Sequence, residues 1–186
     1  MRTLMTVVVI ALLVVAAGCS KSQTDVVYGR VGGVDLKLDY TRPMGSGPYP
    51  LVICIHGGAW EGGEKSGYRP AMKMLAMKGY ASASVEYRFA PAHPFPAQLQ
   101  DVRRALDYLR SHAAELRLDP KRIVLFGDSA GGHLALMLGL QDKTGAIRGI
   151  VSLAGPSDIP HWQAEPAAER MLKQTTDQLL QAVFGT

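Results

Sequence analysis

The chain has 186 residues, 47% hydrophobic and 19% charged, a make-up that suits one globular domain and excludes a disordered or fibrous chain. Its formal net charge of +4 comes from Lys and Arg scattered along the sequence, with no basic run interleaved with aromatics, which excludes a nucleic-acid groove. With only two cysteines, no disulfide framework is expected.

At the N-terminus, Arg2 precedes an apolar run from Val7 to Ala17 that ends in Ala16-Ala17-Gly18-Cys19 and gives way to polar Ser20-Lys21-Ser22-Gln23-Thr24. The run is shorter than the about 20 apolar residues a bilayer-spanning helix requires, and it ends in the small residues a signal peptidase accepts. A cysteine placed directly after them resembles the bacterial lipoprotein box. That resemblance implies a signal peptide over residues 1–18, lipid on Cys19, a short tether over 19–25 and a domain from 26 to 186. It also implies an exported protein, anchored to a membrane and facing the periplasm or the cell exterior.

Two alternating segments, Val26-Val27-Tyr28 and Val34 to Tyr40, flank Gly32-Gly33 and read as an antiparallel hairpin. Thr41 to Pro50, rich in Pro and Gly, reads as irregular loop. Leu51-Val52-Ile53-Cys54-Ile55 is a solid apolar run of strand length, the mark of a parallel strand covered on both faces, and Cys54 belongs to that core. A helix follows over Tyr68 to Lys78, with Met72, Met74 and Met77 expected to pack on the sheet. Ala81 to Tyr87 reads as the next strand, and Ala90 to Pro96 as a proline-stiffened loop. The helix from Ala97 to about His112 carries its apolar stripe on Leu99, Val102, Leu106 and Leu109, with Asp101, Arg103, Arg104 and Arg110 expected mostly toward solvent.

Arg122 to Phe126 reads as a buried strand and Ala130 to Leu140 as a helix, so that Gly127-Asp128-Ser129-Ala130-Gly131 falls at a strand-to-helix turn. A strand that turns sharply into a helix while exposing a nucleophile tolerates only small neighbours, which is the physical sense of G-x-S-x-G. Gly149 to Gly155 gives one more buried strand, and Ala167 to Phe184 a last helix with Met171, Leu172, Leu179, Leu180 and Val183 apolar. Alternating strands and helices require a largely parallel sheet with helices on both faces.

Acyl transfer requires a nucleophile, a base, a group that orients the base, and donors for the oxyanion. Ser129 supplies the first. The loop His56-Gly57-Gly58-Ala59-Trp60, at the end of its own strand, stands where the second half of an oxyanion hole belongs. Together with Tyr87 to Ala97, Asp101-Val102 and Gly127 to His133, these residues resemble the α/β-hydrolase fold. Within it they are similar to the hormone-sensitive-lipase-like carboxylesterases and the feruloyl and acetyl esterases, over about Val26 to Ser157. The resemblance implies a serine hydrolase of small carboxylic esters, with oxyanion donors at the amides of Gly57, Gly58 and Ala130. His56 and Asp128 would hold the loops rather than react.

In that fold the acid and histidine follow the serine in the chain. The histidines after Ser129 are His133, expected to be structural, and His161. Asp158 is a weak candidate for the acid, and the base is unassigned. The sequence therefore reads as a copy cut short before the triad is complete, its C-terminal strands missing and the strand at Ile150 left as a bare edge. A non-catalytic lipoprotein of the same fold and a serine peptidase stay open as alternatives. No cofactor and no metal ligand set are expected.

Overall fold

A computed structural model describes residues 20–162, 166, 169 and 173–185. The leader and Cys19, together with Met171 and Leu172 of the last expected helix, lie outside the described residues. A six-stranded mixed sheet forms the centre, in the order β1-β2-β4-β3-β5-β6. The strands are β1 (Ser20–Val31), β2 (Val34–Pro43), β3 (Tyr49–Ile55), β4 (Ala81–Val85), β5 (Leu118–Asp128) and β6 (Ile147–Leu153). β1 and β2 form the hairpin read from Gly32-Gly33, whose φ values of 57° and 82° are those a tight two-residue turn demands. β2 runs antiparallel to β4, while β4, β3, β5 and β6 are mutually parallel.

The hairpin is longer than expected. Ser20 to Asp25, read as tether, are strand, because β2 continues through Pro43 and offers Tyr40 to Pro43 as partners for Ser20 to Gln23. The loop expected over Thr41 to Pro50 shrinks accordingly.

Helix α1 (Arg69–Met77) connects β3 to β4, and α2 (Ala97–Ser111) with the short α3 (Ala113–Leu116) connects β4 to β5. α4 (Ala130–Leu140) connects β5 to β6. From β3 the chain steps one way to β4, then back across β3 to β5 and on to β6. Right-handed crossovers thus place α1 on one face and α2 and α4 on the other. Leu51, Ile53, Ile55, Val102, Leu109, Ile123, Leu125 and Leu134 fill the core between these layers.

Two expectations about side chains fail. Met72 packs as expected, but Met74 and Met77 are 68% and 70% exposed, since a nine-residue helix turns only one stripe to the sheet. Asp101, expected toward solvent, is fully buried. It accepts the backbone N–H of Arg88 at 3.0 Å and both arms of its guanidinium at 2.8 and 2.9 Å, and Arg104 adds a bond at 3.1 Å. A buried carboxylate is tolerable only when its oxygens are occupied in this way.

Helix α5 (Thr176–Phe184) begins with a capping box between Thr175 and Gln178 and buries Leu179 and Val183. Val183 accepts the amide of Phe95 at 2.7 Å, which docks α5 on the proline-rich loop. β6 is an edge strand among the described residues, with Val151 41% and Leu153 50% exposed. Among the described residues no helix is long and apolar enough to cross a membrane.

Candidate active site

β5 and α4 meet at Ser129 with a single residue between them. That residue has φ 48° and ψ −121°, a backbone conformation costly for any side chain bearing a Cβ, and its side chain is exposed. Ser129 is fixed there by its own amide, which donates to the Leu153 carbonyl at the end of β6 at 2.8 Å, and by its carbonyl, which accepts from His133 at 3.0 Å. The flanking glycines have a steric reason. A Cβ on Gly127 would lie 2.3 Å from the Gly131 carbonyl oxygen, and one on Gly131 would lie 2.0 Å from that of Ile55, so β5, α4 and β3 approach only where no side chain intervenes.

The loop after β3 is brought against this elbow. A Cβ on Gly57 would sit 3.2 Å from Ser129 Cβ and 2.5 Å from Asp128 Oδ2. Gly58, Ala59 and Trp60 follow with φ of 117°, 54° and 59°, three consecutive positive values of which two belong to non-glycine residues. Such strain persists only where the surroundings enforce it. Trp60, 1% exposed, anchors the loop among His133, Trp162 and Phe184.

Of the three amides named as oxyanion donors, Gly57 packs against Ser129 and Ala130 follows it directly in the chain, while Gly58 is the next residue of the loop, and they differ. Ala130 is the first residue of α4, where backbone N–H groups have no partner within the helix and the helix dipole favours negative charge. The Gly57 N–H donates to Asp128 Oδ1 at 3.2 Å. Asp128 Oδ1 also accepts the phenol of Tyr68, whose pKa is raised by burial and by that carboxylate.

His56 is buried, with Nδ1 2.8 Å from the Gly57 carbonyl oxygen and its ring stacked on Tyr87 at 4.4 Å. Tyr87 in turn donates its hydroxyl to the His56 carbonyl at 2.8 Å. Burial lowers the His56 pKa. His133 is also buried, between Trp60, Phe95 and Phe184, and burial pushes its pKa down to about 4. Both histidines brace the loops. His161 is 83% exposed and its Nδ1 lies 3.0 Å from Asp158 Oδ2. Among the described residues no hydrogen bond reaches the Ser129 hydroxyl, and no cluster of His, Cys, Asp or Glu could hold a metal ion.

The bonds of Tyr68 and Tyr87 are not legible in the sequence, because their partners lie 60 and 31 positions away and no local pattern announces them. Cys54 is 1% exposed in β3, and burial pushes its thiol up to about 12, as suits a core residue.

Residues 38–185 match the BD-FAE family model. The chain is 37% identical over 118 residues to the probable carboxylic ester hydrolase LipM of Mycobacterium tuberculosis, covering 61% of this chain and 26% of that one. It is 39% identical over 100 residues to the carboxylesterase NlhH of the same species, covering 53% and 31%. A bacterial heroin esterase superposes with a TM-score of 0.60 at 33% identity, over 77% of this chain and 44% of that one. The esterase of Pyrobaculum calidifontis, at 22% identity, shares the fold with a TM-score of 0.74 over 90% and 56%. The chain thus spans between a quarter and a third of these curated relatives and about half of these solved structures. A strained serine between parallel strand and helix, a glycine loop pressed against it and a match over residues 38–185 lead to one conclusion: the chain belongs to the BD-FAE family and has the α/β-hydrolase fold.

Proposed function

We propose that Ser129 is the nucleophile of a carboxylesterase acting on small-molecule esters. Its Oγ attacks the ester carbonyl carbon as the hydroxyl proton departs, the carbonyl oxygen becomes an oxyanion, and the alcohol leaves with a proton to give an acyl-serine that water then cleaves. The amides of Gly57, Gly58 and Ala130 form the anion site. Because the Gly57 N–H is held by Asp128, Gly58 and Ala130 carry the larger share, and Gly57 acts chiefly by letting the loop approach. The observation that carries this reading is an exposed Ser129 held at φ 48°, against which the loop packs so closely that a Cβ on Gly57 would lie 3.2 Å from Ser129 Cβ. The base that takes the serine proton is unassigned, and Asp158 keeps its place as candidate acid only as a test. The chain is further proposed to be lipidated at Cys19, exported and membrane-anchored, on the strength of the leader and its Ala16-Ala17-Gly18-Cys19 end.

Hydrolysis of p-nitrophenyl acetate by the purified chain, compared with Ser129→Ala, tests the enzymatic part. Turnover abolished by the substitution supports it, and turnover that the substitution leaves intact refutes it. Palmitate incorporation into the wild type and not into Cys19→Ser is the expected result for the anchor.

A further inference from the structure

The two ends of the sheet differ in charge. Ser129 and Leu153 mark one end, at the C-terminal ends of β5 and β6. The pairs Ser20↔Pro43, Thr41↔Ser82, Leu51↔Ala81 and Ile123↔Ile147 run across the other. The start of β1, the end of β2 and the link from α1 to β4 bring Lys21, Arg42 and Lys78 to that second end. The connection from α2 to β5 adds Arg110, Arg117, Lys121 and Arg122, and the one from α4 to β6 adds Lys143 and Arg148.

Against these nine cations stand three acids, Glu115, Asp119 and Asp142, which leaves eleven of the 20 basic residues and thirteen of the 16 acidic ones elsewhere in the sequence. One end therefore holds more positive charge than the whole chain's +4, and the remainder is net acidic.

Most of these cations are available to a partner, Arg42 being buried with its guanidinium bonded to the Pro43 carbonyl. Lys21, Lys78, Lys121, Lys143 and Arg148 are exposed, and among the described residues only Arg122 of the nine forms an ion pair, to Asp119 at 2.6 Å. Asp142 is turned to the amides of Thr144 and Ile147, at 2.9 and 3.0 Å. Tyr80, 40% exposed, lies with Lys121, Arg122 and Arg148 along a shallow groove, an aromatic of the kind that sits at the headgroup level of a bilayer. Ser20 belongs to this same end, and Cys19 is its immediate neighbour in the sequence.

We infer that the basic end is a docking face for an anionic lipid surface, which seats the anchored protein on the membrane and turns Ser129 toward the aqueous side. This rests on the reading that Cys19 carries the lipid. The anchor brings the face to a bilayer, and juxtamembrane cations are drawn to anionic headgroups over about a Debye length.

Lysine footprinting tests it. The full chain is bound to phosphatidylcholine vesicles with or without phosphatidylglycerol, treated with a membrane-impermeant amine-acylating reagent and read by mass spectrometry. At low salt, Lys78 and Lys121 are expected to react about threefold or more slowly on the phosphatidylglycerol vesicles, an effect that about 1 M salt removes. Lys173, beside the Gln174 that bonds Glu61 of the glycine loop, keeps its rate. The double variant Lys121→Glu/Arg148→Glu, both at exposed positions, is expected to lose the protection of Lys78. Equal rates on both vesicles, or protection of Lys173 instead, overturns the proposal. Palmitate labelling in parallel separates the two readings: palmitate on Cys19 without protection removes the docking face, while protection without palmitate removes the anchor and leaves the face standing.

Discussion

Gly57 donates its backbone N–H to Asp128 Oδ1 at 3.2 Å, a bond that fastens the loop after β3 to the residue before Ser129 across 71 positions of sequence. The glycine is required by space as well, since any Cβ there meets that carboxylate at 2.5 Å. Gly57→Ala is expected to push the loop off Ser129 and lower the rate of ester hydrolysis by about 10²-fold or more, the scale of a lost oxyanion donor. Circular dichroism should stay unchanged, and a variant with wild-type kinetics would show that the loop does not serve the serine.

Asp101 and Arg88 tie the chain leaving β4 to α2 through a carboxylate that is 0% exposed and a guanidinium that is 11% exposed. Asp101→Ala leaves that guanidinium buried and unpaired, so a loss of about 3–5 kcal/mol is expected in urea unfolding. The solvent-facing role read from the helical pattern would instead give a change below about 0.5 kcal/mol.

His133 gives stability a pH dependence. Its folded pKa, about 4, lies below the ordinary histidine value of 6.5, so the unfolded chain binds the proton more readily. Its contribution is complete above about pH 6.5 and is lost as pH falls toward about 4, with a span on the order of 3 kcal/mol. Unfolding at a series of pH values should show His133→Leu with a shallower acid slope than the wild type. Parallel slopes would mean that the imidazole titrates freely in the folded state.

The pair Asp158 and His161 is 64% and 83% exposed. As a surface pair it contributes at most about 1 kcal/mol, and Asp158→Asn and His161→Gln are each expected to leave ester hydrolysis within about twofold. A fall of about tenfold or more in both would place the pair in the proton path of Ser129 and make Asp158 the acid.

Local patterns made the elbow legible. The apolar run ending at Phe126 and the helix from Ala130 to Leu140 stand where periodicity puts them, and the glycines at 127 and 131 meet the backbone contacts their spacing suggested. What escaped the sequence was long-range. Asp101 resembles any charge on a helix until Arg88 is seen to face it, Ser20 to Asp25 become strand only because β2 extends to pair with them, and Tyr68 meets Asp128 only through the fold. The cations at the far end of the sheet are scattered along the sequence and are gathered by the crossovers alone.

Everything proposed for this site requires Ser129 to be a reactive nucleophile. Treatment of the purified chain with a fluorophosphonate, followed by peptide mapping, tests it most directly. A single adduct is expected on the peptide containing Ser129, absent from Ser129→Ala. No adduct on that peptide in the folded wild type, or an adduct elsewhere that persists in the variant, would contradict it.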